Sequence, residues 1–304
     1  MKIESQCMNR LPAITQALVS VIGYFLIASQ VAAAPNAVHP GKFSFSAKQK
    51  AEFLISRKQY AEAIEAYKSL LGENGEDSAL FRGLVQAYQG GNRLEEAGGF
   101  IREYLSSHMG SSAGHYGLGY YYYLKGDDPE AQKSFEKATG LNAENALAWN
   151  NWGASLSRTK SYTFAVEKVN RAIRLDPSNP MFYNNLWVIR GAMGESGLFF
   201  ANYKHYVRDG PKLVAQGYGR VIAKTLRQEA FRSFSEGNLK KSIEKFSETA
   251  EIYKEIDHSP GLVATYFGLG VLYEENGDAA MAQEYFKKVL SINPNHLQAR
   301  EKVK

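Results

Sequence analysis

The chain has 304 residues, of which 44% are hydrophobic and 22% are charged, and it contains a single cysteine. This composition supplies enough apolar material for an extensive core and argues against wholesale disorder or a collagen-like structure. Lys and Arg exceed Asp and Glu by 36 to 31, and the resulting formal charge of +5 is too dilute to indicate a nucleic-acid-binding surface. One cysteine also excludes an intrachain disulfide framework and a cysteine-rich zinc site.

The start of the chain has the order of an export signal. Lys2 and Arg10 precede an apolar run over residues 17–28, and small residues follow at positions 32–34. A basic, then apolar, then small-residue order is typical of a secretory signal peptide. We therefore predict a signal peptide over residues 1–33.

Cleavage before Ala34 would leave a short unpacked segment over residues 34–42 at the start of the mature protein. It would also remove Cys7, and a cysteine-free protein suits an oxidising compartment. We expect an exported protein that is periplasmic or associated with the cell envelope. The alternative is that residues 1–33 remain as an uncleaved membrane anchor, although a spanning helix needs about 20 apolar residues.

In the rest of the sequence, residues of the same type recur at an interval of 34 residues. Alanines stand at this interval at Ala63, Ala97, Ala131 and Ala165. Aromatic or histidine side chains do so at Phe81, His115, Trp149 and Tyr183. Random sequence does not hold two registers through four copies, so the chain is predicted to consist of repeated structural units.

Each unit has the pattern of two short amphipathic helices separated by a turn. In one unit Leu118 and Tyr122 recur at helical spacing before residues 126–129 interrupt the pattern, and Ala131, Phe135 and Ala138 recur at helical spacing after the interruption. Gly119 and Gly270 are expected to let two helices approach closely, because glycine has no side chain. Aromatic rings are expected to fill the remaining space between helices.

Residues 146–179 and 263–296 carry the clearest copies of the motif. Its residues are Trp149, Trp152, Gly153, Ala165, Ala172 and Pro177 in the first copy, and Tyr266, Leu269, Gly270, Tyr273, Ala282, Phe286 and Pro294 in the second. These positions resemble the tetratricopeptide repeat (TPR) family. The resemblance implies an all-α, right-handed α-solenoid of six to seven helical hairpins. It predicts a regular array over residues 43–194 and a C-terminal array over residues 223–304.

Residues 195–222 depart from the repeat pattern and are predicted to connect the two arrays. Phe199 stands where a small residue is expected. Residues 209–211 and 217–219 contain glycine and are predicted to interrupt the helices. A functional insertion and an eroded repeat both remain open as the origin of this region.

The sequence holds no motif that brings catalytic groups together. Its six histidines form no zinc-binding spacing, and it contains no phosphate-binding loop, nucleophile elbow or haem-attachment motif. We therefore expect that the protein is not an enzyme and that it uses no cofactor and no metal.

The resemblance to TPR proteins implies a partner-binding groove lined by the first helix of each unit. The groove positions of the family fall on Lys48, Arg82, Gln86, Tyr116, Tyr120, Asn150, Asn151, Asn184, Asn185, Lys224 and Arg227. The two Asn pairs are expected to be exposed and to hydrogen bond the backbone of an extended peptide, unless they are simply solvated. The tyrosines either anchor a partner or fill gaps between repeats.

The expected function is that of an exported scaffold or adaptor that binds protein or peptide partners. Exported members of the family commonly support envelope, secretion or pilus-type complexes, and this role is what the resemblance implies. Arg82 and Lys48 are expected to attract an acidic or carboxy-terminal peptide. The alternative is a carbohydrate-binding or polysaccharide-export accessory protein that uses a tyrosine-rich groove. Nucleic acid is not an expected partner.

Overall fold

The computed structural model describes residues 46–303, and all regular structure within that range is helical. The all-α class expected from the sequence is confirmed. The predicted signal peptide and the segment over residues 34–42 lie outside the described residues. The chain divides after Asn202 into two compact units, which we call the N-terminal unit (residues 46–202) and the C-terminal unit (residues 203–303).

The helices follow one another in hairpin pairs. The N-terminal unit contains α1 (Ala47–Ser56), α2 (Tyr60–Glu73), α3 (Ser78–Gly90), α4 (Leu94–Ser107), α5 (Ser112–Lys125), α6 (Asp128–Leu141), α7 (Ala146–Arg158), α8 (Tyr162–Leu175), α9 (Pro180–Ala192) and the first half of α10 (Ser196–Asp209). The C-terminal unit continues with α11 (Lys212–Ser235), α12 (Leu239–Glu255), α13 (Ser259–Glu275), α14 (Ala279–Ile292) and the short α15 (Leu297–Lys302).

The hairpins of the N-terminal unit stack on one another in a repeated way. The second helix of each pair packs against the first helix of the next pair, as α2 does on α3 and α6 on α7. The first helices also contact one another, α1 with α3, α3 with α5, α5 with α7 and α7 with α9. The first helices therefore form a continuous layer. Beneath this layer, one buried apolar cluster extends from Ala51 on α1 to Ala148 on α7.

Polar N-caps define the start of each first helix. The side chains of Asp77, Ser111, Asn145 and Asn179 each accept a hydrogen bond from a backbone N–H in the first turn of α3, α5, α7 and α9. Each cap satisfies a donor that the helix leaves open and typically contributes about 1 kcal/mol. Successive caps are separated by the same interval as the repeated alanines, so the repeat in the sequence also fixes where each hairpin begins.

Asn145 additionally joins three hairpins. Its Nδ2 atom donates to the hydroxyls of Ser78 and Ser112, both at 2.9 Å. The Ser112 hydroxyl donates to the carbonyl of Ala138 at 2.8 Å. Asn145 and Ser112 are buried, so these bonds replace bonds to water. One amide therefore holds the starts of α3, α5 and α7 in register.

The close approach expected at two helical glycines is confirmed. A Cβ atom added at Gly119 would lie 2.7 Å from the ring of Phe135, and one added at Gly270 would lie 2.5 Å from the ring of Phe286. Both rings are fully buried. Each ring therefore occupies the volume that a side chain on the facing helix would need.

The prediction that residues 217–219 interrupt a helix is wrong. These residues lie inside α11, which is continuous. A Cβ atom added at Gly219 would lie 2.6 Å from Ile256 and 3.0 Å from the ring of Tyr203. The glycine therefore serves close packing rather than a turn.

The break predicted at residues 209–211 is present, since α10 ends at Asp209 and α11 begins at Lys212. Phe199, the bulky residue in this region, is fully buried on α10. Its ring meets the ring of Trp187 edge-on, with centroids 5.2 Å apart. The ring of Phe199 therefore packs against a second aromatic ring of the N-terminal unit.

The turn within each hairpin of the N-terminal unit places one residue in a left-handed backbone conformation. Lys58, Asn92, Gly126, Lys160 and Gly194 have φ values of 60°, 57°, 88°, 63° and 73°. These five positions are also separated by the repeat interval. Only glycine adopts this conformation without a steric penalty, so the lysines at this position are strained.

Replacing Lys160 with glycine is expected to stabilise the protein, because the left-handed backbone then no longer brings a Cβ atom against the following carbonyl. The opposite change, Gly126→Ala, is expected to lower the free energy of unfolding by about 1 kcal/mol. Chemical denaturation of both variants measures the two changes. Shifts of the same sign in the two variants would contradict this description of the turn.

Candidate partner-binding surface

Nine of the residues predicted to bind a partner lie on first helices of the N-terminal unit. They are Lys48 on α1, Arg82 and Gln86 on α3, Tyr116 and Tyr120 on α5, Asn150 and Asn151 on α7, and Asn184 and Asn185 on α9. We call these nine residues the first-helix surface. The remaining two predicted residues, Lys224 and Arg227, lie on α11 in the C-terminal unit.

A chain of hydrogen bonds joins α9, α7 and α5. Asn185 Nδ2 donates to Asn150 Oδ1 at 3.0 Å, and Asn150 Nδ2 donates to Asn151 Oδ1 at 2.8 Å. Asn151 Nδ2 then donates to the hydroxyl of Tyr116 at 3.1 Å. Three asparagine amides are therefore bonded within the protein before any partner arrives.

The expectation that the Asn pairs are exposed is wrong for the pair on α7. Asn150 is 0% exposed and Asn151 is 5% exposed. Neighbouring hairpins approach so closely that these amides lose water and use each other and Tyr116 as partners. Buried amides are tolerated only when they are hydrogen bonded, and this chain of bonds meets that condition. Contact of either residue with a partner protein stays a prediction.

The two tyrosines of α5 pack together between neighbouring first helices. Their ring centroids are 6.2 Å apart with an interplanar angle of 5°. Tyr116 is fully buried, and Tyr120 is 8% exposed and accepts a hydrogen bond from Gln86 Nε2 at 3.3 Å. Of the two uses considered for these tyrosines, the structure shows gap filling at Tyr116.

Burial raises the pKa of the Tyr116 hydroxyl far above its usual range. The nearby Arg82 guanidinium and the hydrogen bond from Asn151 oppose this rise in pKa, while Tyr120 adds to it. The Tyr116 hydroxyl is therefore neutral at physiological pH. It acts as an uncharged member of the hydrogen-bond chain and not as an acid or base.

Arg82 differs from the other members of the first-helix surface. It is partly buried, and its guanidinium carbon lies 6.0 Å from the centre of the Tyr120 ring. Its Nε atom is buried and has no hydrogen-bond partner within residues 46–303, and Arg82 forms no ion pair with a residue in that range. A buried donor left without a partner costs about 1–3 kcal/mol, and more when it is charged. Arg82 therefore carries a positive charge that has no counter-ion among the described residues.

Both ends of the first-helix surface have partners within the protein. Lys48 Nζ lies 3.4 Å from the carboxylate of Asp77, and both side chains of this pair are partly exposed. Asn184 Nδ2 donates to the carbonyl of Pro180 at 2.7 Å. An exposed ion pair such as Lys48 with Asp77 contributes little to stability and opens easily to a competing ligand.

One basic residue of the C-terminal unit, Arg220, was not among the residues predicted from the sequence. Lys224 is exposed and Arg227 is partly buried, and Arg220 lies on the same face of α11 at the preceding helical turn. The signal that would have found Arg220 is the spacing of four and then three residues between basic side chains. The misreading of residues 217–219 as a helix break concealed it.

The described part of the chain contains no cluster of three or more His, Cys, Asp or Glu side chains able to hold a metal ion. Within residues 46–303, no helix has both the length and the apolar character needed to cross a bilayer.

Models of the tetratricopeptide repeat match residues 54–115, 116–180 and 222–295, which together make up more than half of the chain. The chain therefore belongs to the tetratricopeptide repeat family. The TPR repeat-containing protein MJ1428 of Methanocaldococcus jannaschii is 25% identical over 182 residues. The match covers 58% of this chain but only 28% of that relative, so the chain spans less than a third of its length. Repeats of this family typically form non-catalytic scaffolds.

Solved structures contain similar helical repeats. The C-terminal part of a TPR repeat-containing protein from Cytophaga hutchinsonii is 17% identical, with a TM-score of 0.40 over 84% of this chain and 99% of that chain. The pilF protein of Pseudomonas aeruginosa is 18% identical, with a TM-score of 0.42 over 80% and 97%. YrrB, a TPR protein with an unusual peptide-binding site, is 21% identical, with a TM-score of 0.33 over 78% and 97%. These likenesses concern the fold alone.

The change Asn151→Ala is expected to lower the free energy of unfolding by about 1–3 kcal/mol. It removes the acceptor of Asn150 and a donor to Tyr116, and it leaves both groups buried. Gln89→Ala, which removes an exposed amide from α3, is the control and is expected to change stability by less than about 0.5 kcal/mol. Denaturant unfolding measures both values, and equal effects in the two variants would contradict the buried network.

Proposed function

We propose that the protein is a scaffold that binds a protein partner through the first-helix surface, with Arg82 receiving a carboxylate of an extended peptide. The observation that carries this proposal is that the partly buried Arg82 guanidinium forms no ion pair with any residue of the described chain. Guanidinium and carboxylate groups form two parallel hydrogen bonds. A carboxylate from an acidic side chain or a C-terminus would therefore supply the counter-charge that Arg82 lacks.

The neighbours of Arg82 support this proposal because contacts within the protein hold their side chains in place. Tyr120 lies beneath the guanidinium and is bonded to Gln86, and Tyr116 stacks on Tyr120 and is bonded to Asn151. A peptide would meet groups that are already ordered, which reduces the entropy lost on binding. In this proposal Lys48, Asn184 and Asn185 contact the peptide at the two ends of the surface.

We also propose that the protein is exported and that it supports assembly of an envelope, secretion or pilus-type complex. The charge and hydropathy order of residues 1–33 supports export. Mass spectrometry of the protein from an envelope fraction tests this part of the proposal. A chain that starts at Ala34 is expected, whereas a membrane-bound chain that retains residues 1–33 would contradict cleavage.

A carbohydrate-binding role for the tyrosine-rich helix α5 is not favoured. Sugar rings stack on exposed aromatic faces, but Tyr116 is fully buried and Tyr120 is 8% exposed. Both rings are already stacked on each other. The first-helix surface therefore offers no broad aromatic face at these two positions.

The change Arg82→Gln is expected to reduce capture of specific partner proteins about tenfold or more, because it removes the charge-assisted hydrogen bonds. Wild-type and variant proteins are used as baits against solubilised envelope proteins, and the captured proteins are quantified by mass spectrometry. Arg174→Gln removes an exposed charge from α8, outside the first-helix surface, and is the matched control. Arg82→Lys keeps the charge but loses the bidentate geometry, so an intermediate loss is expected.

Thermal melts of all variants accompany these measurements, so that partner loss is separated from unfolding. Capture of the same proteins in the same amounts by wild type and Arg82→Gln would show that Arg82 does not receive a partner. Equal losses in the Arg82 and Arg174 variants would attribute the effect to net charge and would also reject the proposal.

A further inference from the structure

A histidine side chain caps the start of helix α13 in the C-terminal unit. The Nδ1 atom of His258 accepts the backbone N–H of Gly261 at 3.0 Å, so His258 is the N-cap of this helix. Because Nδ1 accepts this hydrogen bond, it carries no hydrogen, and the hydrogen of the neutral ring is on Nε2. The cap therefore requires the uncharged form of the imidazole.

Packing holds the imidazole in the position that the cap needs. The ring stacks on the ring of Tyr253, with centroids 5.0 Å apart. A Cβ atom added at Gly261 would lie 2.6 Å from His258 Nδ1 and 2.6 Å from the ring of Tyr253. Gly261 and residues 263–270 of α13 are buried, and many of them belong to the apolar core of the C-terminal unit. The cap therefore secures the start of a core helix.

The groups around His258 favour its neutral form. Burial lowers the pKa of His258, and the positive charges of Arg220 and Arg227 on α11 lower that pKa further, while a hydrogen bond with the backbone opposes the shift without reversing it. Burial also raises the pKa of the Tyr253 hydroxyl, so the stacked ring is neutral and adds no negative charge.

The carboxylates nearest to His258 in the sequence have other partners. Asp257 forms an ion pair with Lys212 at 2.8 Å, and the carboxylate of Glu255 accepts a hydrogen bond from the hydroxyl of Tyr203. Residues 259–273 of α13 contain no Asp or Glu. The surroundings of the ring therefore disfavour an imidazolium.

We propose that His258 is a pH-sensitive cap whose protonation in mild acid opens the turn between α12 and α13. A hydrogen on Nδ1 would face the N–H of Gly261, so two donors would meet where one hydrogen bond now forms. The charged ring would also lie at the helix end that repels cations. The ring then leaves Gly261 and Tyr253, and the start of α13 loses its cap.

The direction of the pH dependence follows from the lowered pKa. Once the turn is open, the imidazole has its usual pKa of about 6.5. The open state therefore binds the proton more tightly than the closed state. The closed state has its full stability above about pH 6.5 and loses it as the pH falls through the lowered pKa of His258.

The N-terminal unit lacks this response at the corresponding positions of α5, α7 and α9. Their caps are Ser111, Asn145 and Asn179, whose side chains do not titrate in this range. Opening at α13 is therefore independent of the first-helix surface and of the function proposed for it.

Hydrogen exchange of the Gly261 amide, measured by NMR on the whole protein, tests this proposal. Its protection factor is expected to fall about tenfold between about pH 7.5 and about pH 5.0. The amide of Ala148, which donates to Asn145, is the internal control and is expected to keep its protection factor. The readout is local because His296 caps α15 in the same way, with Nδ1 3.2 Å from the backbone nitrogen of Ala299.

Two variants separate the cap from other effects of acid. His258→Asn supplies a cap that does not titrate, as Asn145 does at α7, and is expected to remove the pH dependence at Gly261. His205→Asn makes the same change at an exposed histidine inside α10 and is the matched control. It is expected to leave the tenfold fall at Gly261 unchanged.

Three results would overturn the proposal. They are a constant protection factor at Gly261, an equal fall at Ala148, which would indicate general acid unfolding, and a fall at Gly261 that persists in His258→Asn. If His258→Asn does not fold, an NMR titration of the His258 ring in the wild-type protein decides the question. A midpoint below about 6.5 is expected, and a midpoint at or above that value would reject the proposal.

Discussion

Buried amides and hydroxyls must be hydrogen bonded, and the first helices of the N-terminal unit meet this requirement by bonding to one another. Asn145 reaches Ser112 across 33 residues, Asn151 reaches Tyr116 across 35, and Asn185 reaches Asn150 across 35. These separations are close to the length of the repeat. The hairpin geometry that stacks apolar side chains therefore also brings each polar group to its partner, and a change in the stacking would leave several polar groups without partners.

The need to hydrogen bond buried polar groups divides the residues of the first-helix surface into those that support the fold and those that can meet a partner. The amides of Asn150 and Asn151 and the hydroxyl of Tyr116 are occupied by one another and support the layer of helices. Arg82 lies on the same surface and has no counter-ion within residues 46–303. In the proposed function a partner is therefore recognised by the Arg82 guanidinium, which lies over side chains that are already ordered, rather than by a row of solvated asparagine amides. Specificity then depends on charge and on the shape around Tyr120.

The repeat period was sufficient to predict the hairpins, the close packing at Gly119 and the all-α class, because all three follow from local spacing. The burial of Asn150 and Asn151 was not predictable in the same way. It depends on how deeply neighbouring hairpins approach, which is set by contacts about 35 residues away in the sequence. Gly219 was misread because glycine permits both turns and close packing, and only the positions of Ile256 and Tyr203 distinguish these two uses.

The polar network of the first helices acts as one buried, coupled unit. A double-mutant cycle with Asn151→Ala and Tyr116→Phe tests it most directly, with the free energy of unfolding measured by denaturant titration. Because the amide donates to the phenolic hydroxyl, the two changes are expected to be non-additive by about 1 kcal/mol. Additive effects, with a coupling energy near zero, would show that the two groups do not interact in solution and would contradict the account.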